Sequence, residues 1–466
     1  MSFTTDGSRW PDVWLAATAR GTTICGDFLA AAALALALQG AGAGGLAVSG
    51  LLLAATLPLV VLAPLAGRLA DRVDSRTLLV TVGLAQAAIC VLLALVDHPV
   101  LVVGLVALLA CGLAVTQPCL AALLPAMVRP TDLPRASAIS QTAVSLGALG
   151  GPVLAGLLVG QFGTRVPLLL DAASYLALVV AGLLLRTRRG GRSTAVAPAT
   201  ADAPRGTAPG WRLRRDPLLL VMVISTAVVI AAIGGINVIE VFFIRETLNG
   251  SPTTYGLVGA AWMAGMLPGG WLAARLAHRL DDDGALVRGV LATLGGCSLL
   301  VLLAATVPAA GLLVPLWLVA GAANGAENVF ANLLTARRVP EAMRAQAYAS
   351  YGAAVQGGSM AGYLIGGALL MAVPPRPLIA GAGVAGLVAV LAFVPVVARV
   401  LRRPARDEPG VRPRRSVGTD AGLATSGRPA APVPMAGDTV GAWLSAPHAP
   451  GSGTSSSSTA SRSTGV

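Results

Sequence analysis

Long apolar stretches alternate with short polar segments along the first 400 positions of the chain. Each stretch has about 20 residues or more, which is enough to cross a hydrocarbon core about 30 Å thick as an α-helix. The pattern therefore predicts an all-α membrane protein with about twelve spans. The predicted spans are residues 14–38, 46–67, 77–96, 100–127, 138–160, 167–185, 218–244, 255–277, 286–307, 312–336, 348–372 and 378–400.

Two polar regions divide the chain into domains. The first, rich in Arg, Ala, Pro and Thr, covers 187–215 and predicts a cytoplasmic linker. The second follows position 401 and ends in GSGTSSSSTASRSTGV, a composition that cannot bury enough apolar surface to fold. We therefore expect one six-helix bundle at 1–186, a second at 216–401 and a disordered cytoplasmic tail at 402–466.

Composition and charge agree with a membrane protein, because 55% of the residues are apolar and only 12% are charged. The net charge of +12 does not indicate nucleic-acid binding, since the arginines lie in the short segments between spans. Short cytoplasmic loops retain positive charge, so arginine placement predicts the orientation. With both termini cytoplasmic, the outer loops hold only three arginines, and the cytoplasmic loops hold Arg68, Arg72, Arg76, Arg129, Arg135, Arg275, Arg279, Arg288, Arg337, Arg338 and Arg344.

The turn after the second span carries the segment GRLADRVDSR, which begins at Gly67. It resembles the loop signature of the major facilitator superfamily, although Asp74 and the following serine replace the usual glycine and basic residue. A weaker copy, GWLAAR, follows the eighth span and indicates parallel repeats. The resemblance implies the major facilitator fold, with Gly67, Asp71, Arg72 and Arg76 as a cytoplasmic latch of the outward-facing state. The alternative is an ordinary positively charged turn.

The fifth span carries a second motif, GALGGPVLAG, formed by Gly147, Gly151, Pro152 and Gly156 with Ala155 in place of a glycine. It resembles the antiporter motif of the same superfamily, which implies export. The other interpretation is a face of small residues that lets two helices pack closely. The segments RGTTICGDFLAAAALAL and TQPCLAALLPAMVRPTDLPRASAISQ look like the branch that exports drugs, macrolides and siderophores.

The first span contains a carboxylate, Asp27, with Arg20 two helical turns before it on roughly the same face. A carboxylate at that depth is costly unless it is paired, hydrated or protonated. We therefore expect Asp27 to be the exchangeable proton site, with Arg20 as its charge partner. The alternative is a structural brace, in which Asp27 bonds Arg20 or backbone amides.

Two acids in the second half are further candidates for proton coupling. Glu240 lies in the outer third of the seventh span with Asn237 on the same face, and its alternative role is to reach the outer interface. Glu327 lies deeper in the tenth span, in a polar cluster with Asn324 and Asn328. Such a cluster must face a cavity or another helix, so we expect it to line the path or seal the inner gate rather than only pack.

Two other polar residues have open roles. Gln117 stands next to Pro118 in the fourth span, where it either lines the path or satisfies backbone groups that the proline exposes. Asp171 begins the sixth span near the outer surface, and we expect it to make a structural bond to nearby backbone.

These features predict a transporter of the inner (plasma) membrane that exports a small hydrophobic or amphipathic compound in exchange for protons, by alternating access. A proton-coupled uptake symporter is the alternative. A non-transporting accessory protein or enzyme is disfavoured, because the sequence has no nucleotide-binding glycine loop followed by lysine and only three histidines. We expect no catalytic residue, metal or cofactor, and a monomer whose partners are protons, the substrate and the lipid bilayer, without nucleic acid.

Overall fold

The computed structural model describes residues 8–187 and 213–402 except positions 278 and 281, and at 64, 67, 70, 71, 215, 342 and 345 it describes only the backbone. Within these residues the chain forms twelve long helices and no strand. They are α1 (Trp10–Gly40), α2 (Gly44–Val61 and Ala63–Arg72), α3 (Ser75–Leu95), α4 (Pro99–Met127), α5 (Leu133–Phe162), α6 (Arg165–Leu184), α7 (Pro217–Gly234, Ile236–Phe242 and the π-helical turn Phe243–Thr247), α8 (Pro252–Ala277), α9 (Asp283–Ala304), α10 (Leu313–Arg338), α11 (Arg344–Leu369) and α12 (Pro375–Arg402).

The helices coincide with the predicted spans within a few residues, so the all-α prediction is confirmed. Eleven of them are long and apolar enough to cross a membrane. The exception among the described helices is α11, whose sequence includes Gln346, Gln356, Tyr351 and Tyr363. The linker predicted at 187–215 and the tail predicted at 402–466 lie almost entirely outside the described residues, so these two domain bounds stay predictions.

Prolines and aspartates explain where several helices begin. Helices α4, α7, α8 and α12 each start at a proline, which has no N–H to leave unsatisfied in the first turn. The side chain of Asp216 accepts a hydrogen bond from the backbone N–H of Leu219 at 3.1 Å and thereby caps α7. Asp282 caps α9 in the same way, through bonds from the N–H groups of Gly284 and Ala285.

Two spans are interrupted at positions that hydropathy alone does not reveal. Helix α2 breaks at Leu62, two residues before Pro64, which has no N–H to continue the helical hydrogen bonds. Helix α7 breaks at Gly235, where a Cβ atom would lie 3.0 Å from the carbonyl oxygen of Gly362 in α11. Close packing of the two backbones therefore accompanies the break in α7.

The first six helices form one bundle and the last six form another, and the two meet along two seams. In one seam α2 packs on α11, and the Ser49 hydroxyl donates to the carbonyl oxygen of Tyr363 at 2.6 Å. In the other α5 packs on α8, and the Thr253 hydroxyl donates to the carbonyl oxygen of Gly156 at 3.2 Å. Both seams lie at the end of the molecule where α1 ends and α2 begins.

Charged side chains at the opposite end bond within their own half. Arg338, at the end of α10, bonds Asp216 at 2.6 Å and Asp283 at 3.1 Å, and so ties together the ends of α7, α9 and α10. In the first half, the Arg135 guanidinium lies 4.8 Å from the ring centroid of Trp10. Each bundle therefore braces its own helix ends at this side of the molecule.

Candidate functional site

Asp27 of α1 is half-buried and contacts a tyrosine of α6. The hydroxyl of Tyr175 donates a hydrogen bond to Asp27 Oδ1 at 2.5 Å. Tyr175 itself has no exposed surface, so surrounding side chains fix the direction of its hydroxyl. The pair joins α1 to α6 inside the first bundle and leaves part of Asp27 accessible.

The expected ion pair between Arg20 and Asp27 is wrong, since the described residues contain no such contact. Arg20 Nη1 instead lies 3.5 Å from the Ser140 hydroxyl of α5, and its Nε is buried without a hydrogen-bond partner among the described residues. Helical side chains lean toward the N-terminus, so Arg20, two turns before Asp27, points further away from it.

Arg20 faces a small cavity between α1, α4 and α6. The cavity has a volume of about 10 Å³, enough for about one water. Its walls include Thr23, Thr116, Gln117 and Tyr175. Gln117 thus lies near Arg20, and Tyr175 lies between this cavity and Asp27, so the role of Gln117 in lining a path stays a prediction.

A second carboxylate, Asp171 of α6, lies behind Asp27. It has no exposed surface, and the described bonds of its carboxylate are to side chains rather than to the nearby backbone expected from the sequence. Asp171 Oδ2 accepts from the Cys90 thiol of α3 at 3.2 Å, and Oδ1 accepts from the Ser174 hydroxyl at 3.1 Å. A Cβ atom at Gly26 would clash with Asp171, so this glycine lets α1 approach the carboxylate closely.

The spacing of residues in α6 carries a signal for this group that hydropathy does not. Asp171 and Tyr175 are four residues apart, which puts them on one face of α6. In α1, Gly26 leaves room for α6 to pack closely, and the next residue, Asp27, supplies a carboxylate beside that contact. Neither spacing, however, identifies which of the other helices it faces.

The second half has a similar arrangement around Glu327 of α10. This carboxylate is 2% exposed, and its Oε1 accepts a hydrogen bond from the Tyr351 hydroxyl of α11 at 2.7 Å. Thr226 of α7 and Cys297 of α9 also lie beside Glu327. The carboxylate therefore faces the interior of the bundle rather than lipid.

Among the described hydrogen bonds, none joins Glu327 to Asn324 or Asn328, the two asparagines of the predicted cluster. Asn328 donates to the backbone carbonyl of Asn324 at 2.9 Å, one turn back in the same helix. Both side chains are half-buried. On a neighbouring face, Gly321 and Gly325 pack against the backbone of α8.

Glu240 is separated from the asparagine that shares its helix. Asn237 is exposed and donates to the carbonyl oxygen of Gly234 at 3.1 Å. Glu240 turns inward beside Trp317 of α10 and Tyr255 of α8, and its Oε1 is buried with no hydrogen-bond partner among the described residues. Glu240 therefore does not reach the outer interface in this structure.

The glycine-proline motif of α5 divides between two partners. Gly147 packs against the backbone of Gly21 in α1, and Gly151 packs against the next turn of the same helix. At the other end of the motif, Gly156 and Pro152 pack against the backbone around Gly256 in α8, across the seam between the halves. The motif is therefore both a packing face of the first bundle and part of the contact between bundles.

The residues of the predicted latch lie at the end of α2 and the start of α3. Arg72 ends α2 and is exposed, while Arg76 is half-buried at the start of α3. At Gly67 and Asp71 the structure describes only the backbone. The latch therefore stays a prediction.

Two six-helix bundles of apolar helices, each with carboxylates in its interior and packed together along two seams, have the architecture of a multi-pass membrane transporter. The sequence profile of the family described as transmembrane secretion effector matches residues 9–411. The chain belongs to this family, within the major facilitator superfamily. A search of curated protein sequences finds no match to this chain.

Solved structures with the same fold include transporters of different kinds. A peptide transporter, POT, in complex with sulfate has a TM-score of 0.65 and 15% identity, over 86% of this chain and 96% of its own. A bacterial homologue of the iron transporter ferroportin in an inward-facing state has a TM-score of 0.62 and 16% identity, over 84% of this chain and 100% of its own. An inward-facing bacterial homologue of the lysosomal transporter Spinster has a TM-score of 0.61 and 16% identity, over 83% and 95%.

Proposed function

We propose that this transporter exports a small hydrophobic or amphipathic compound in exchange for protons. The observation that carries the proposal is the Asp27–Tyr175 pair, a carboxylate that is held in one direction and yet remains partly accessible. An exchangeable proton site needs both properties, because it must be reached from one side at a time and must keep its place in the cycle. The proton gradient is the proposed energy source.

The contacts between the halves support a rocking cycle. All three described hydrogen bonds that cross between the halves, including one from Gln39 to Glu246 at 3.1 Å, lie at one end of the molecule. The placement of arginines in the loops predicts that this end faces the outside of the cell. The proposed cycle therefore starts from an inward-facing state, in which substrate and Asp27 are to be reached from the cytoplasm, and export requires the seams to open.

The direction of transport is part of the proposal. It rests on the resemblance of the glycine-proline motif of α5 to the antiporter motif of the superfamily. Gly156 and Gly256 allow α5 and α8 to pack backbone to backbone, so the seam closes without large side chains between the helices. A proton-coupled uptake symporter is the alternative function, since the same carboxylate and seams serve either direction. An inner (plasma) membrane location and a monomeric state belong to the same proposal.

A screen in a host strain that lacks its own efflux pumps tests the proposal. Cells expressing the protein are exposed to a panel of toxic amphipathic compounds, and intracellular accumulation is measured with and without a protonophore. Export predicts lower accumulation of at least one compound, and the protonophore should abolish the difference. Higher accumulation of a compound in expressing cells would instead support uptake.

Asp27→Asn provides the matched variant, and Asp97→Asn is its control, because Asp97 is exposed in the turn between α3 and α4 and lies outside the contacts between the halves. Both proteins should be present in the membrane at equal amounts. Unchanged efflux by Asp27→Asn would reject Asp27 as the proton site. ATP hydrolysis by the purified protein would point to a function other than secondary transport.

A further inference from the structure

A groove on the second bundle runs between α9 and α12 and has a volume of about 370 Å³. Seven of its eight lining residues are apolar, among them Leu291, Ala292, Val390 and Val394. Val394 in the lining is 49% exposed, and the adjacent Leu391 of α12 is 67% exposed. The groove therefore opens toward the surface that a bilayer would cover.

The length of the groove matches one leaflet of a bilayer. On α12 the lining extends from Val390 to Leu401, which corresponds to about 16 Å along the helix axis. The hydrocarbon core of a bilayer is about 30 Å thick, so one leaflet contributes about half of it. An acyl chain lying along α12 would have the length of this groove.

One end of the groove carries positive charge. Arg288 lines it on α9, one turn before Ala292, and its side chain is 60% exposed. Arg402 is exposed on α12, one turn beyond Ala398, which also lines the groove. Residues four apart share a helix face, so Arg402 lies on the groove side of α12, one turn beyond the lining, at the same end as Arg288.

The acidic side chains near this end leave the arginines free to bind an anion. Asp282 bonds Arg288 at 3.3 Å, but this pair is exposed on both sides and such pairs are weak. Asp283 is engaged by Arg338 at 3.1 Å. Arg288 also keeps donors that the single bond to Asp282 does not use.

We propose that the groove binds an anionic phospholipid of the cytoplasmic leaflet, with one acyl chain along α12 and the phosphate between Arg288 and Arg402. The apolar lining suits the chain, and the two arginines suit the phosphate. The leaflet follows from the predicted orientation of the loop that precedes α9. This site is separate from the carboxylates proposed for transport and holds whether or not export is the function.

Native mass spectrometry of the full-length protein, delipidated in detergent, tests the proposal with two probes. Phosphatidylglycerol and phosphatidylcholine with identical chains are titrated separately. The wild type should bind its first phosphatidylglycerol more tightly than its first phosphatidylcholine. The double variant Arg288→Gln/Arg402→Gln should lose roughly 30-fold of that preference, since each arginine near a lipid surface contributes about a 5-fold effect.

Ala292→Trp tests the groove itself by filling it, and it should remove the first tightly bound lipid of either class. Ala88→Trp is the matched control, because Ala88 is an exposed alanine of α3, the helix at the equivalent place in the first bundle. The double arginine variant leaves the groove's shape intact, so it remains a test even if the tryptophan variant fails to fold.

Four results would overturn the proposal, three of them from lipid binding. These three are equal affinity of the wild type for the two lipids, unchanged lipid binding by Ala292→Trp, and competition by inorganic phosphate as strong as that by phosphatidylglycerol. A protein dimer that Ala292→Trp separates would also overturn it, because a second copy would then occupy the groove.

Discussion

The two halves of the chain each hold a carboxylate against a tyrosine hydroxyl, yet the two carboxylates differ in exposure. Asp27 is half-buried, while Glu327 is 2% exposed. The hydrogen bonds are similar, at 2.5 Å from Tyr175 and 2.7 Å from Tyr351. Equal bonding with unequal access indicates different tasks, so we infer that Asp27 exchanges protons while Glu327 braces α10 against α11.

The surroundings of the two pairs strengthen this contrast. Asp27 has a second carboxylate behind it, Asp171, which is tied to Cys90 and Ser174. No second carboxylate is described beside Glu327, whose described neighbours include Thr226 and Cys297. Two acids in one place repel when both are charged, and this favours a change of protonation in the first half.

The largest expected effect comes from Asp27→Asn. The amide keeps the size of the side chain and can still accept from Tyr175, but it cannot bind and release a proton. We expect proton-driven export to fall to the level of cells without the protein, as measured by substrate efflux from energised cells. Export at the wild-type rate would show that Asp27 is only a brace.

Gly256→Leu should have the next largest effect, because it forces apart the seam between α5 and α8. A Cβ atom there would meet the backbone of Pro152 and Gly156. Overpacking of this kind costs about 1–3 kcal/mol, which shifts a two-state equilibrium by about 5- to 150-fold. Spin labels at the outer ends of α1 and α7 should therefore report longer distances.

The control for this experiment is Gly160→Leu, one turn further along α5. A Cβ atom at Gly160 would meet only the Thr253 hydroxyl oxygen, at 3.6 Å. Its label distances should stay close to those of the wild type. Equal lengthening in both variants would mean that the seam does not control opening.

Tyr175→Phe sharpens the comparison between the halves by removing one hydroxyl. A hydrogen bond to a charged group contributes about 1.5–3 kcal/mol, so loss of alignment of Asp27 should slow export by about 10-fold or more. Tyr351→Phe removes the corresponding hydroxyl from Glu327 and should lower the melting temperature with little change in export. Rates measured in vesicles with equal protein content compare the two, and an equal slowing would contradict the division of tasks.

The smallest effect is expected from Glu327→Gln. The amide oxygen can still accept from Tyr351, so the link between α10 and α11 is kept. We expect export within about 2-fold of the wild type, because net changes from one hydrogen bond are about 1 kcal/mol or less when a partner remains. A complete loss of export would assign proton coupling to the second half as well.

Much of the fold could be predicted from the sequence, because hydropathy reports directly on which segments can lie in lipid. All twelve predicted spans correspond to helices. This includes α11, whose polar residues keep its hydropathy below that of the eleven candidate membrane spans. The interruptions at Leu62 and Gly235 were not predicted, since a break of one residue hardly changes the apolar content of a span.

The site was predicted less completely, because its partners are far apart in sequence. Asp27 was identified by its cost in lipid, but its partner Tyr175 is 148 residues away. Closeness in sequence favours Arg20 as the charge partner of Asp27. The direction of helical side chains, however, separates the guanidinium group of Arg20 from that carboxylate. The burial of Asp171 likewise depends on the packing of α6 against α1 and α3, which no single span reveals.

The central claim is that export of the substrate is coupled to proton movement in the opposite direction, and that Asp27 binds and releases the proton. Purified protein in proteoliposomes that contain an exported compound and a trapped pH-sensitive dye tests it directly. When the compound flows out, the wild type should acidify the lumen, and Asp27→Asn should not. Alkalinisation of the lumen, no pH change with the wild type, or full acidification with Asp27→Asn would contradict the account.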